Sequence, residues 1–356
     1  MSRIALAILC LAACSARADE PPGRRTYSNR LTRITNPQPL LADHPTFVAP
    51  VKGRERFEAP PLIDDADPNL SVRSWRFSYN ARGIIEVPNR LRGDQTAIVV
   101  VHPWGIDDGQ GWRTPQPAGV AFQCTPEKNA LVGRHAREII NPFLRRFRSK
   151  VGLVLYSLPG TEDPVRRKLY RSVRQRPTDE DRRSGPAVLA RTLAAFRYRG
   201  QQVPDRFSVS KDTPLVEYFQ QFPGLDAGAK YNNAGFWKQP IPVHRALQTH
   251  TDDVVIYDGE GYALLRGFLK KNGIRHVLLT GYNTDMCVCS TTAGYDNLRQ
   301  DFNVFLVGDA TVATFPGQPD PSVATSAAVA FASLKVMITQ VSWVKSIARR
   351  QVGSIR

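Results

Sequence analysis

Short apolar runs rich in β-branched residues recur along the chain, and segments with apolar residues at helical spacing lie between several of them. The run Thr96–Val101 is continuous, which is typical of a strand buried on both faces of a parallel sheet. Similar runs predict strands at 151–156, 254–257, 276–280 and 303–307. Helical spacing predicts helices at 134–147, 262–271, 290–298 and 322–337.

This alternation predicts an α/β fold, namely a three-layer, doubly wound and mostly parallel sheet with right-handed crossovers. In such sheets, ligands bind beyond the carboxyl ends of the strands. His102, Tyr257 and Asp258, and the segment 281–287 all come just after predicted strand ends. We therefore expect the functional site at this edge of the sheet.

The remaining segments define the organisation of the chain. Residues 19–70 are rich in Pro, Arg and Asp and show little periodicity, which predicts an extended arm over the surface. Residues 74–87 predict a β-hairpin, and residues 157–250 interrupt the alternation as a long insertion. The sequence therefore predicts a signal peptide at 1–18, an arm and hairpin at 19–93, an α/β domain at 94–345 that includes the insertion, and a tail at 346–356.

The first eighteen residues have the pattern of a signal peptide. Arg3 precedes an apolar run, and Ala16 and Ala18 suit cleavage before Asp19. An overlapping pattern at 11–14 resembles a bacterial lipobox, which would leave Cys14 lipidated. Export, to the periplasm or beyond the cell, is the prediction, and a lipid anchor through Cys14 stays open.

Composition restricts the function classes. The chain has 356 residues with 48 Lys+Arg and 32 Asp+Glu, a formal charge of +16, and 42% hydrophobic residues, which is globular composition. Residues 166–199 hold eleven Lys or Arg and three acidic residues. This segment is either a solvated helical surface or a patch for an anionic component of the cell envelope. We expect no nucleic acid partner, because there is no metal-finger spacing or RNA-binding signature.

The segment 281–288, Gly-Tyr-Asn-Thr-Asp-Met-Cys-Val, carries the most chemistry. It follows a predicted strand and precedes a helix that starts near Cys287. A thiol at a helix N-terminus lies near unpaired N–H groups and the positive end of the helix dipole, and both favour the nucleophilic thiolate. The same N–H groups can hold the oxyanion of a tetrahedral intermediate. One corner of the chain therefore predicts both a nucleophile and an oxyanion hole.

This segment resembles the isochorismatase-like cysteine hydrolase superfamily, which includes nicotinamidases and N-carbamoylsarcosine amidohydrolases. The shared pattern is Gly, two residues, then Thr-Asp-x-Cys-Val, and it continues through Thr291 or Thr292, Tyr295-Asp296 and the Gly-Asp-Ala at 308–310. The resemblance covers roughly residues 94–156 and 250–340. It implies hydrolysis of a C–N bond in a small amide-type substrate, with Cys287 as the nucleophile and a cis peptide bond at Tyr282–Asn283.

Two positions depart from the family pattern. The family has an aspartate after the first strand, where this chain has His102, and a lysine after the third strand, where it has Tyr257 and Asp258. In one interpretation His102 is the general base, oriented by Asp258 or Glu260. In another, the catalytic set is degraded, and the fold serves as a ligand-binding or envelope-associated scaffold.

A third interpretation places a metal at His102, Asp107 and Asp108. It is the least favoured, because the two aspartates suit a loop end or a helix cap. We therefore predict no metal and no cofactor. The absence of a Gly-x-Ser-x-Gly elbow, a phosphate loop and a dinucleotide fingerprint excludes serine esterases, nucleotidases and dehydrogenases.

The remaining candidates concern substrate and partners. Four residues near the strand ends are predicted to bind a small-molecule substrate: Trp104, Tyr257, Tyr282 and Asn283. His135 and His276 are interpreted as structural or solvent-facing. Export leaves three cysteines in the mature chain, and pairing Cys124 with Cys289 would leave Cys287 free. A homo-oligomer stays open.

Overall fold

The computed structural model describes residues 25–80, 82–103, 126–196, 206, 210–212, 239–314 and 320–348. Within these residues, twelve strands form one sheet. The strands are β1 Thr32–Arg33, β2 Arg56–Glu58, β3 Leu70–Ser78, β4 Gly83–Leu91, β5 Thr96–Val101, β6 Leu153–Leu158, β7 Arg171–Ser172, β8 Val254–Tyr257, β9 His276–Tyr282, β10 Asn303–Val312, β11 Met337–Thr339 and β12 Val344–Ser346.

Helices accompany the sheet in the described residues. The α-helices are α1 Pro126–His135, α2 Asn141–Phe147, α3 Pro164–Leu169, α4 Asp179–Ala195, α5 Tyr262–Lys271, α6 Cys287–Ser290, α7 Tyr295–Leu298 and α8 Pro321–Ala332. A π-helical turn, Ala136–Ile140, joins α1 to α2. Short 3₁₀ helices span Gly93–Gln95, Arg148–Lys150, Asp258–Glu260 and Val341–Trp343.

The sheet has the strand order β1-β2-β4-β3-β11-β10-β9-β5-β6-β8-β7, with β12 beside β3. Pairing is parallel from β11 to β7, so the predicted mostly parallel α/β sheet is confirmed. The chain runs outward from β5 to β6 and β8, then returns to the other side of β5 to form β9. This reversal makes the β5/β9 boundary the topological switch point, where such sheets bind ligands.

Two hydrophobic clusters cover the two faces of the sheet and give the three layers. In β5, Val99 and Val101 belong to the cluster that includes residues of α5, α7 and α8. Ile98 and Val100 belong to the opposite cluster, with residues of α1 and α2. Every residue of β5 is buried, as the uninterrupted apolar run predicts.

The hairpin is part of the main sheet. It forms as predicted but is longer, because β3 and β4 pair from Leu70 with Leu91 to Ser78 with Gly83. β3 then pairs with β11 in the antiparallel sense and extends the sheet. The prediction that residues 19–70 form an arm over the surface is wrong for one segment. Leu40, Leu41 and Val48 are fully buried in a core cluster. Short apolar groups separated by prolines show no periodicity, yet they pack where neighbouring elements leave apolar surface uncovered.

Two predicted helices end differently. The helix expected at 290–298 is divided into α6 and α7, which are separated by Thr291 to Gly294. The helix expected at 322–337 ends at Ala332, and Met337 begins β11. The predicted 262–271 helix is confirmed as α5, where Leu265 and Leu269 face the core.

The insertion contributes helices α3 and α4 and the short strand β7 to the described residues. Many basic side chains of α3, α4 and the segment between them form ion pairs, among them Lys168–Asp181 and Arg174–Glu260. Arg166 is buried, and its guanidinium lies 4.5 Å from the ring centre of Tyr257. This segment therefore does not form a uniformly solvated basic surface. In the described part of the chain, no helix combines the length and apolar character required to cross a membrane.

Candidate active site

Three side chains from distant segments meet at the carboxyl edge of the sheet. His102 directly follows β5, Asp258 directly follows β8, and Cys287 begins α6 after β9. β9 can approach β5 closely at Gly281, because a Cβ at this position would collide with the backbone of Val101. Gly281 also has φ of 108°, in the range that favours glycine. The glycine of the motif thus brings the strand that leads to Cys287 against the strand that leads to His102.

The imidazole of His102 is paired with the carboxylate of Asp258. The distance from Nε2 of His102 to Oδ2 of Asp258 is 2.7 Å. The side chain of His102 is 9% exposed and that of Asp258 is 25% exposed. The pair is therefore largely shielded from water on the imidazole side and remains accessible on the carboxylate side.

The strand between β5 and β8 helps to hold this pair. The backbone carbonyl of Ser157, in β6, accepts the N–H of His102 at 2.8 Å. The hydroxyl of Ser157 donates to Oδ1 of Asp258 at 3.4 Å. On the other side, the hydroxyl of Thr292 donates to the backbone carbonyl of Asp258 at 2.8 Å. Both partners of the pair are thus attached to neighbouring elements.

Cys287 completes the cluster. Its side chain lies close enough to the imidazole of His102 to influence the pKa of the ring. Cys287 is partly exposed and is a free thiol. Burial disfavours the charged imidazole, but the charge of Cys287 and the hydrogen bonds with Asp258 and Cys287 outweigh burial and raise the pKa of His102 to about 10. The imidazole of His102 is therefore positively charged at neutral pH.

The backbone at His102 has an unusual conformation. Its φ is 46°, in the left-handed region. Among residues other than glycine, Asn, Asp and His are enriched in this region. The residue after β5 is thereby turned out of the strand geometry.

Side chains of the Thr-Asp pair fasten the corner before Cys287 to β10. The hydroxyls of Thr284 and Thr311 are 2.7 Å apart. The carboxylate of Asp285 accepts the N–H of Thr314 at 2.9 Å. The Tyr282–Asn283 peptide bond is cis, as the family resemblance implied. These contacts explain why the motif contains Thr and Asp, since each fixes the corner without touching the cluster.

The turn that carries Cys287 is organised by Asn283. The backbone carbonyl of Asn283 accepts the N–H groups of Met286 and Val288, each at 3.0 Å. Helix α6 has only four residues, so the predicted helix start at Cys287 is confirmed as a single turn. Among the hydrogen bonds of the described residues, none uses the backbone N–H of Cys287. Within the described residues, this N–H group therefore keeps its capacity to donate.

The side chain of Asn283 is unusual. The residue is 1% exposed, and within the described part of the chain neither its Nδ2 nor its Oδ1 has a hydrogen-bond partner. Buried amides are almost always satisfied by protein or water. A side chain with both polar groups unpaired, four residues before Cys287, therefore requires an explanation.

Two other predicted substrate-binding residues have buried rings. Tyr257 is 1% exposed and packs beneath Arg166. Burial also raises the pKa of Tyr257. The hydroxyl of Tyr282 is 2.9 Å from Nδ1 of His135 in the core. The described side-chain contacts therefore do not support substrate binding by these two rings.

The alternative carboxylate and the other histidines have separate roles. Glu260 accepts the N–H of Tyr257 at 2.9 Å and pairs with Arg174, so Asp258 is the partner of His102. His135 is fully buried, with Nε2 3.0 Å from the carbonyl of Asp309. His276 is also fully buried, and this excludes the solvent-facing interpretation for both histidines.

Several predicted residues lie outside the described residues: Cys14, Trp104, Asp107, Asp108 and Cys124. Cys289 is a free thiol among the described residues, and the pairing with Cys124 involves a residue outside them. In the ranges that the structure describes, no group of three or more His, Cys, Asp or Glu side chains is arranged to hold a metal ion.

Sequence reasoning missed the supporting contacts. The sequence does not indicate that Ser157 and Thr292 contact Asp258, because these contacts depend on strand order and on the loop after α6. The hydrogen bond between His135 and Tyr282 joins positions 147 residues apart. The position of Ser157 near a predicted strand end was the single feature that pointed to this edge.

The fold and this cluster define an α/β protein with a cysteine, a histidine and an aspartate at a topological switch point. Residues 243–335 match the family model for the isochorismatase domain. The resemblance to the isochorismatase-like superfamily is thereby confirmed for this part of the chain. No curated protein matches the chain.

Solved structures also show similarity. A cysteine hydrolase from Pseudomonas syringae pv. phaseolicola 1448A has 16% identity and a TM-score of 0.37, over 71% of this chain and 91% of that protein. A pyrazinamidase of Pyrococcus horikoshii in complex with zinc has 17% identity and a TM-score of 0.35, over 69% of this chain and 99% of its own. A nicotinamidase/pyrazinamidase from Bacillus subtilis has 14% identity and a TM-score of 0.32, over 69% and 100%. At these sequence identities and TM-scores, the matches support no conclusion about the activity of this chain.

Proposed function

We propose that this protein is a cysteine hydrolase that cleaves the C–N bond of a small amide-type or related substrate. Cys287 is the nucleophile, His102 is the general acid and base, and Asp258 orients His102. The observation that carries the proposal is that the imidazole of His102 is hydrogen-bonded to the carboxylate of Asp258 and interacts with the side chain of Cys287. This is the arrangement by which a thiol is activated and a leaving group is protonated.

In the proposed resting state, the thiolate of Cys287 forms an ion pair with the imidazolium of His102, whose raised pKa keeps it protonated at neutral pH. The thiolate of Cys287 attacks the carbonyl carbon, a C–S bond forms, and the carbonyl electron pair moves to oxygen. The tetrahedral intermediate then collapses, the C–N bond breaks, and the imidazolium of His102 gives its proton to the leaving nitrogen. A thioester and a free amine or ammonia result.

Hydrolysis restores the ion pair. A water molecule attacks the thioester carbon and gives one proton to the neutral imidazole of His102. The C–S bond breaks, the carboxylic acid leaves, and Cys287 returns to thiolate beside a protonated His102. In this mechanism the N–H of Cys287, which has no partner among the hydrogen bonds of the described residues, donates to the substrate oxygen in both steps.

Asp258 is assigned the orienting role. Its carboxylate accepts from Nε2 of His102, while Ser157 and Thr292 hold its side chain and backbone. A carboxylate fixed in this way keeps the imidazole in one orientation and stabilises its positive charge. Asp258 and His102 together replace the aspartate and lysine that the family resemblance would place beside the thiol.

We also propose a cellular location for this protein and an additional binding partner. The signal pattern in residues 1–18 supports export, with a lipid anchor through Cys14 as the alternative processing. The basic segment 166–199 supports a salt-sensitive association with an anionic envelope component. The side chain of Arg176 is 58% exposed although it pairs with Asp252, so part of this charge faces solvent.

The test compares wild type with Cys287→Ala and with Cys289→Ala as the matched control. Alkylation at Cys287, measured by peptide mass spectrometry, should remain fast below pH 7, and ammonia release from a panel of primary amides should identify a substrate. Cys287→Ala should abolish this release, whereas Cys289→Ala should retain it. Slow alkylation below pH 7 would contradict the enzyme and favour a ligand-binding scaffold, and release that survives Cys287→Ala would exclude this nucleophile.

A further inference from the structure

A cleft beside the insertion lies apart from the catalytic cluster. It has a volume of about 330 Å³ and opens between α3, α4 and the segment that precedes β8. Its walls include Leu169 and Tyr170 on one side and Thr251 and Asp253 on the other. Asp253 comes just before β8, whereas Asp258 follows the same strand. The cleft is therefore at the amino end of β8, and the catalytic cluster is at its carboxyl end.

Two arginines that line this cleft differ from the other cations of their segment. Residues 166–183 contain eight Lys or Arg residues. Six of them pair with a carboxylate, namely Arg166, Arg167, Lys168, Arg174, Arg176 and Arg183. The other two, Arg171 and Arg182, have no carboxylate within ion-pair distance among the described residues, and both line the cleft. The unpaired positive charge of this segment is therefore collected at one place.

The main chain holds these two guanidinium groups next to each other. Nη1 of Arg171 donates to the carbonyl of Asp252 at 3.1 Å, and Nη2 of Arg182 donates to the carbonyl of Thr251 at 3.5 Å. The two carbonyls belong to successive residues, so the guanidinium groups converge on one short segment. A guanidinium has five N–H donors, and each of these groups makes one hydrogen bond within the described part of the chain. Donors therefore remain on both groups.

The acidic groups next to the cleft already have partners. The carboxylate of Asp253 pairs with Arg148 and is 7% exposed. The carboxylate of Asp252 pairs with Arg176 and is 82% exposed, so it is directed to solvent. Burial and repulsion by Arg176 lower the pKa of the Arg171 guanidinium. The charge of Arg171 is thus incompletely compensated, and an anion in the cleft would stabilise it.

We infer that this cleft, the Arg171–Arg182 cleft, binds the phosphate group of a small phosphomonoester. The inference rests on the proposed anionic partner, to which it gives a site and a ligand chemistry, and it is independent of hydrolysis by Cys287.

The donor arrangement favours phosphate over carboxylate. A carboxylate has two oxygens, which the fork of one guanidinium satisfies. A phosphomonoester has three terminal oxygens and a charge of about −1.5 to −2 near pH 7, so it can accept from both forks. The walls formed by Leu169, Tyr170 and Pro186 are apolar or aromatic and suit the organic group of the ester. A soluble phosphomonoester and the headgroup of phosphatidic acid share this chemistry.

Isothermal titration calorimetry with phenyl phosphate tests the cleft directly. Phenyl phosphate should bind about tenfold more tightly than benzoate, because it forms a further charged hydrogen bond. The double variant Arg171→Gln, Arg182→Gln should weaken the Kd for phenyl phosphate about 100-fold. The control double variant Arg183→Gln, Arg191→Gln removes the same charge from exposed positions of α4 and should retain the wild-type Kd. Equal affinity for the two ligands, or equal losses in the two double variants, would overturn the inference.

Two further variants separate recognition from net charge and from folding. Arg171→Lys, Arg182→Lys retains the charge but removes the planar forks, so binding of phenyl phosphate should weaken about tenfold. Arg182→Gln alone changes one half-buried side chain of α4, and it should weaken binding about tenfold with the melting temperature of the wild type. Wild-type affinity in both variants would contradict the inference.

Vesicle sedimentation distinguishes the two sources of the phosphate group. Phosphatidylcholine vesicles carry either phosphatidic acid or, at matched zeta potential, phosphatidylglycerol, whose phosphate is a diester. A preference for phosphatidic acid that is lost in Arg171→Gln, Arg182→Gln would assign the cleft to a lipid headgroup. Binding of phenyl phosphate without this preference would assign it to a soluble ester. If the protein shows neither the preference nor binding of phenyl phosphate, the inference is wrong.

Activity and salt dependence keep this inference separate from the proposed function. Arg171→Gln, Arg182→Gln should release ammonia at the wild-type rate, and Cys287→Ala should bind phenyl phosphate with the wild-type Kd. A protein that binds phenyl phosphate but hydrolyses no amide would therefore retain the cleft and reject the enzyme. Salt-sensitive association with anionic vesicles that is undiminished in Arg171→Gln, Arg182→Gln would retain the envelope partner and reject the cleft as its site.

Discussion

The protein contains two histidine–aspartate pairs of nearly equal geometry at opposite edges of the sheet. At the carboxyl edge, Nε2 of His102 lies 2.7 Å from Asp258. At the amino edge, Nε2 of His276 lies 2.8 Å from Asp65. The distances alone would assign both pairs the same role.

Their third partners differ. Nδ2 of Asn303 donates to Nδ1 of His276 at 3.0 Å, so the imidazole donates through Nε2 to Asp65. The imidazole of His102 has a carboxylate and a sulfur as its neighbours instead. Two acceptors stabilise a charged imidazole, whereas Nδ1 of His276 faces a donor. The third group therefore separates a reactive pair from an anchoring one.

The largest expected contrast is in activity. His102→Asn should lower kcat/KM by about 10³–10⁴-fold, as loss of a catalytic base does in comparable clusters. Asparagine tolerates a left-handed φ, so this variant should fold. His276→Asn should retain kcat/KM near the wild-type value on the same primary amide, assayed by ammonia release. Equal losses in the two variants would remove the functional distinction between the pairs.

The second contrast is in stability and has the opposite order. Asp65 is 3% exposed and accepts from His276 and from the N–H of Arg92, and these hydrogen bonds hold the pKa of its carboxyl low despite burial. Asp65→Asn should reduce the free energy of unfolding by about 3 kcal/mol, because it breaks a buried pair. Asp258→Asn should cost less than half as much, since water can reach that carboxylate. Urea unfolding at pH 7 measures both, and a larger loss at Asp258 would refute this assignment.

The smallest effect is on the pH dependence of stability. The pKa of His102 is raised from 6.5 to about 10, so its contribution is fully present below pH 6.5 and is lost as the pH rises towards 10. The lowered pKa of Asp65 acts on the other side, where its contribution is lost as the pH falls below 3.8.

Urea unfolding of wild type and His102→Asn at intervals from pH 6 to 10 tests the alkaline side. The difference in the free energy of unfolding between the two proteins should shrink as the pH rises, because other titrating groups are common to both. A difference that stays constant across this range would show that His102 is not held as the cation.

The sheet and the identity of the cluster were largely predictable from the sequence. The strands Thr96–Val101 and Val254–Tyr257 and the helix Tyr262–Lys271 have the predicted bounds, since long apolar runs and helical spacing leave little choice. Strand ends placed His102, Asp258 and Cys287 at one edge without any knowledge of distances.

The remaining features depend on contacts between distant segments. His102 and Asp258 are 156 positions apart, so the choice of Asp258 over Glu260 required the position of β8 and its following turn. The burial of Leu40 followed from the apolar surface of other elements. The lack of a hydrogen-bond partner for the carboxamide of Asn283 among the described residues depends on its surroundings, and no local sequence pattern indicates it.

The backbone at residue 102 restricts which side chains this position can hold. Its φ of 46° is in the left-handed region, which Asn, Asp and His enter more readily than other residues with a Cβ. Replacing histidine by aspartate should therefore change the acid–base group and leave the course of the main chain as it is. Redesign of this acid–base group is thus limited to a short set of side chains.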